Sequence, residues 1–92
     1  MLRELEVLTL TPVIRAERGL LSPKGALIYR ASERISAELH IQSGDVIVQI
    51  NRTPIGSAED VARALDYYSG RGPIRLFFER QGQISSTDFV IR

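Results

Sequence analysis

Residues Ile41 to Ile55 read Ile-Gln-Ser-Gly-Asp-Val-Ile-Val-Gln-Ile-Asn-Arg-Thr-Pro-Ile, and no other stretch constrains the fold as much. Gly44-Asp45 makes a tight turn, with the Asp45 side chain as its stabiliser. Val46 to Ile50 is apolar at every position but Gln49, the pattern of a strand buried on both faces. Asn51-Arg52-Thr53-Pro54 is turn chemistry again, so the strand is short and enclosed at both ends. Ser57-Ala58-Glu59-Asp60 then matches a capping box, with acidic side chains placed well for the helix dipole. Behind it Ala58, Val61, Ala62 and Leu65 fall at i, i+3, i+4 and i+7, one stripe of a helix that Gly70 can stop.

The flanks carry weaker but compatible signals. Leu5 to Leu10 alternates, with Leu5, Val7 and Thr9 set against Glu6, Leu8 and Leu10, and reads as a strand that Pro12 ends. Val13 to Leu21 is read as a short helical turn, and Ser22-Pro23-Lys24-Gly25 as a loop. Ala26 to Arg30 is a second strand. Ser32 to His40 is a helix, with Ser32 as cap and Ile35 and Leu39 four apart. Ile74, Leu76 and Phe78 alternate with Arg75, Phe77 and Glu79 in a further strand. Gln81-Gly82 turns the chain, and Thr87, Phe89 and Ile91 share one face of the last strand. The sum is mainly β with two helices, an α+β fold of five or six short strands forming a small capped barrel or sandwich.

Length and charge bound the function. The 92 residues make one domain, 1–92, with 43% hydrophobic residues, ample for a single core. Twelve basic and 11 acidic residues nearly cancel, so charge points to neither nucleic acid nor a membrane. With no cysteine there is no disulfide and no thiolate metal site, and no apolar run approaches the ~20 residues that span a bilayer. No signal peptide is visible. Patterned sequence directly after Met1 is expected of a small protein or of a domain excised from a larger chain, with excision the preferred reading.

Taken in order, the strand, the helix, the Gly44-Asp45-Val46-Ile47 turn, Asn51, the capped helix at Ser57-Ala58-Glu59-Asp60-Val61 and the closing hairpin resemble a PDZ domain along nearly the whole chain. The order of elements, with Val7-Leu8-Thr9-Leu10-Thr11-Pro12 first and Gly25-Ala26-Leu27-Ile28 next, looks like the PDZ domains that follow the trypsin-like domain of HtrA/Deg serine proteases. PDZ domains of site-2 and C-terminal processing proteases are the neighbouring alternatives. In this protease-type order the peptide-binding strand comes first.

The resemblance implies β-augmentation, in which an extended peptide pairs with an exposed strand edge. By that similarity the strand is Leu5 to Thr9, including Glu6 and Val7, and the opposite wall is the helix Ala58 to Tyr68. Ala58 and Ala62 leave room for a groove, and Leu5 and Leu65 floor an apolar pocket for the last ligand side chain. A single module of this kind binds at roughly micromolar, about −8 kcal/mol. The family's carboxylate loop, aromatic or apolar, any residue, Gly, apolar, falls by position on Leu2, Arg3, Glu4 and Leu5. Glu4 therefore stands where glycine lets backbone amides converge on an anion. Its charge ~4 Å from a ligand carboxylate would cost at most ~4 kcal/mol at an effective dielectric of ~20, and Arg3 would offset part of that.

Two functions follow as expectations. The first is a non-catalytic module that captures hydrophobic polypeptide ends or extended segments for an attached serine protease, in extracytoplasmic quality control or regulated proteolysis. The second, which Glu4 favours, is a docking domain whose groove serves its own protease or a neighbouring subunit and binds no free peptide carboxylate. Partners are thus peptide ends or a protease domain, with no cofactor. His40, the only histidine, has no second His or Cys beside which to act as base or metal ligand, and is read as local structure tolerant of a left-handed backbone. Ser85-Ser86-Thr87 reads as a solvent-facing strand rather than a nucleophile site. Arg71, Arg75 and Arg80 with Tyr67, Tyr68 and Phe77, beside Glu79, read as an ordinary mixed surface rather than a nucleic-acid platform.

Overall fold

Among the described residues, a Ser or Thr stands at the start of every helix. In the computed structural model, which describes residues 5–91, Thr11, Ser32 and Ser57 each accept the N–H three residues ahead, at 3.2, 3.1 and 3.2 Å. These caps open α1 (Pro12–Arg18), α2 (Glu33–Leu39) and α3 (Ala58–Tyr68). Pro12 ends the preceding strand and also begins α1, because its fixed φ and missing N–H suit a first helical position. The turn read at Val13–Leu21 is therefore a helix, and the described residues hold three helices where two were expected. Gly19 (φ 63°) and His40 (φ 58°) end α1 and α2 in the left-handed conformation, so His40 has the local role assigned to it.

The strands are β1 (Leu5–Thr9), β2 (Ala26–Ala31), β3 (Val46–Ile50), the two-residue β4 (Thr53–Pro54), β5 (Pro73–Arg80) and β6 (Gln83–Val90). They form one antiparallel sheet in the order β1-β2-β3-β5-β6, with β4 paired to β3. Opposite β1 the register slips, and Tyr29 is the extra residue of a bulge in β2. Gly25, just before β2, has φ 153° and lies so close to β3 that a Cβ there would sit 2.7 Å from the Ile47 carbonyl oxygen.

Alternation along the strands divides the apolar residues between two faces of the sheet. On one, Leu5, Ile28, Ile47, Ile50, Ile74, Leu76 and Phe78 join Ile35 and Leu39 of α2 and Val61, Ala64 and Leu65 of α3 in the main core. On the other, Leu10, Leu27 and Val46 make a smaller cluster with Ile14, Leu20 and Val48. Val46, Ile47 and Ile50 are wholly buried and Val48 and Gln49 half-buried, so β3 is covered on both sides as its composition implies.

Two carboxylates are also buried. Asp45 accepts the Gln42 N–H at 2.9 Å, the turn role expected, and also a fork from Arg80, Nε to Oδ1 at 2.9 Å and Nη2 to Oδ2 at 2.6 Å. Glu79 corrects the mixed-surface reading, for it is only 1% exposed. It accepts the N–H groups of Leu21 (2.9 Å) and Ser22 (2.7 Å) and the Ser22 hydroxyl. Burial raises its pKa, but those bonds and the nearby Arg15 charge outweigh it and leave the group below the ordinary glutamate value. Thr87 is likewise buried, so only Ser85 and Ser86 of the expected solvent-facing trio are exposed.

Candidate functional site

β1 ends the sheet. It pairs with β2 on one side and with no strand on the other among the described residues, which leaves alternate amides and carbonyls facing outward. The same alternation turns Leu5, Val7 and Thr9 to the α3 side. Glu6 and Leu8 face the other way, Leu8 exposed and Glu6 in an exposed ion pair with Arg30 at 3.3 Å. Glu6 thus offers the groove its backbone but not its side chain.

α3 runs beside β1 as the opposing wall. Its N-terminus is held by three contacts. Ser57 Oγ accepts the Asp60 N–H, Asp60 Oδ2 accepts the Gly56 N–H at 2.8 Å, and Thr9 Oγ1 of β1 accepts the Ala58 N–H at 2.9 Å. The Gly56 N–H chiefly holds the Asp60 carboxyl below the usual aspartate range; burial opposes it and Arg63 adds to it. Val61, Ala64 and Leu65 face the core, while Ala58 and Ala62 are half-buried along the edge nearest the groove. Leu5 and Leu65 belong to the main core and are 4% and 3% exposed, so they form a floor rather than an open wall. Val7, Thr9, Ala58 and Ala62 present the accessible surface.

Of the residues singled out in the sequence, Leu5, Val7, Thr9, Ala58, Ala62 and Leu65 are brought to this strand–helix seam. Leu2, Arg3 and Glu4 lie outside the described residues. The sequence did not reveal the Thr9–Ala58 bond, which joins positions 49 apart; a hydroxyl on the inward side of an edge strand was the one available hint.

The arginines do not form a cationic platform. Arg75 pairs with Asp88 at 2.8 Å and Arg80 with Asp45, while Arg71 lies 4.6 Å over the Tyr67 ring and donates to the Tyr67 carbonyl at 2.6 Å. Of the three, Arg75 alone borders a concavity of about 580 Å³, with Asn51, Tyr68, Phe77 and Asp88, which is separate from the β1–α3 seam. No group of three or more His, Cys, Asp and Glu side chains suited to a metal ion occurs among the described residues.

Comparison with known proteins rests on shape. No protein-family model and no curated protein matches the chain. Among solved structures, the PDZ domain of HtrA3, crystallised with a phage-derived ligand of sequence FGRWV, matches with a TM-score of 0.75. The match has 22% identity and covers 95% of this chain and 80% of that one. The fold is PDZ-like. It is an α+β PDZ fold resembling that of HtrA3, and its element order is the one the sequence resemblance implied.

Proposed function

We propose that this chain is a non-catalytic peptide-binding module that adds hydrophobic polypeptide ends or extended segments as a strand along β1. The observation that carries the proposal is the free edge of β1 lying beside the small-residue edge of α3, over an apolar floor. The peptide-bound state of the HtrA3 domain of similar fold supports it. A module of this kind supplies recognition, and the chemistry belongs to a partner. The strand order and the resemblance favour an attached trypsin-like serine protease acting outside the cytoplasm.

A second reading has one feature in its favour. Glu4, at the position of the expected glycine, disfavours capture of a free carboxylate and suits docking to a protease domain or neighbouring subunit. Screening the domain against a library of C-terminal peptides separates the two. Binding at roughly micromolar Kd that disappears when the peptide ends are amidated supports carboxylate capture. Equal binding of amidated peptides indicates recognition of extended segments, and no binder in the library supports docking alone. A Glu4→Gly substitution is expected to tighten free-carboxylate peptides; an unchanged Kd would overturn the assignment of Glu4 to the carboxylate loop.

A further inference from the structure

Thr9 closes one end of the seam between β1 and α3. Its Oγ1 accepts the N–H of Ala58, the first residue of α3, at 2.9 Å. A threonine hydroxyl has two lone pairs and one proton. Ala58 engages a lone pair, and among the described residues nothing accepts the proton. Donation from the helix amide also polarises the O–H, which makes it a better donor. Ala58 contributes only a methyl group here, and Val7 and Ala62 farther along the seam are apolar. The groove thus has a polar point at the α3 N-terminal end and an apolar remainder.

From this geometry we infer that Thr9 is a specificity-determining residue, selecting ligands that bring a hydrogen-bond acceptor, a hydroxyl or a carboxamide side chain, to the end of the groove beside it. The inference rests on the peptide-binding reading above. An apolar ligand side chain at that point would bury the Thr9 O–H without an acceptor, and an unmet buried donor discriminates more strongly than a formed bond attracts. Position follows from strand geometry. With the last ligand side chain beside Leu5, an antiparallel added strand turns every second side chain inward, opposite Val7 and then Thr9. The acceptor is therefore expected at the fourth ligand residue before the last, or at the second through the diagonal contact of paired strands.

The test uses peptides with an apolar last residue and a single Thr, Asn, Val or Leu at the second or fourth residue before it. They are titrated against the wild-type domain and the Thr9→Ser and Thr9→Val variants. Wild type and Thr9→Ser are expected to prefer Thr or Asn over Val by roughly five- to tenfold at one of those positions, the worth of one hydrogen bond. Thr9→Val is expected to lose or reverse the preference while binding the Val peptide within about threefold of wild type. Peptides that bind wild type without preference at either position overturn the inference and leave the peptide-binding reading standing, as does a Thr9→Val domain that keeps the preference. Absence of any binding to wild type overturns both. The wild-type preference decides the matter even if Thr9→Val does not fold.

Discussion

Glu79 shows how much one side chain can hold in place. Its two oxygens accept three hydrogen bonds from Leu21 and Ser22, and Arg15 donates to the Ser22 carbonyl at 3.1 Å, so the loop after α1 is fastened to β5. Glu79→Gln keeps one acceptor oxygen but turns an NH₂ toward donors, and is expected to cost about 1–3 kcal/mol in urea denaturation. The pH dependence has a defined sign. A carboxyl whose folded pKa is depressed contributes stability that is fully present above its unfolded value of ~4.3 and is lost as pH falls through the folded value. The stability gap between wild type and variant should thus hold level from neutral pH down to about 5 and narrow below the ordinary glutamate pKa. A gap that stays constant into strong acid would contradict the depressed value.

Among the elements, α3 decides whether a groove exists at all, because it must stay beside β1 without filling the seam. Small residues at 58 and 62 keep the wall low, and Val61, Ala64 and Leu65 anchor it from the other side. The N-terminus is tied by Thr9 and Asp60, and Ser57 is its local cap. Ser57→Ala is expected to lower stability by about 1 kcal/mol, which for a domain of this size reads as a melting temperature lower by roughly 4–8 °C. A melting temperature within a degree of wild type would mean that Thr9 and Asp60 hold the end without the cap. α1, by contrast, is capped at both ends yet has no buried residue, so it covers its face of the sheet loosely.

Over the whole molecule, the two faces of the sheet are unequal. The main core takes buried residues from four strands and two helices and contains every residue that supports the groove floor, whereas the smaller cluster under α1 has three buried members. Ile47→Ala in the main core is expected to cost about 2–5 kcal/mol. Ile14→Ala in α1, half-buried, is expected to cost less than ~1.5 kcal/mol and to raise amide exchange in α1 without a comparable rise in β3. A comparable rise in exchange in α1 and β3 would show that both faces unfold as one unit. The apolar periodicities, the Ser32 and Ser57 caps and the Gly44-Asp45 turn were legible because each is set by residues a few positions apart, where helix and strand geometry alone fixes who meets whom. The same locality explains why the span of α3, Ala58–Tyr68, was read as it stands and why Pro12, acting as strand end and helix start together, was half read. What the tertiary structure alone decided lies between distant positions: Glu79 under Leu21 and Ser22, Arg80 on Asp45, and Thr9 on Ala58, separated by 58, 57, 35 and 49 residues. A strand's alternation says which residues share a face but not what will cover that face, so Glu79 reads as surface in the sequence and is buried in the fold.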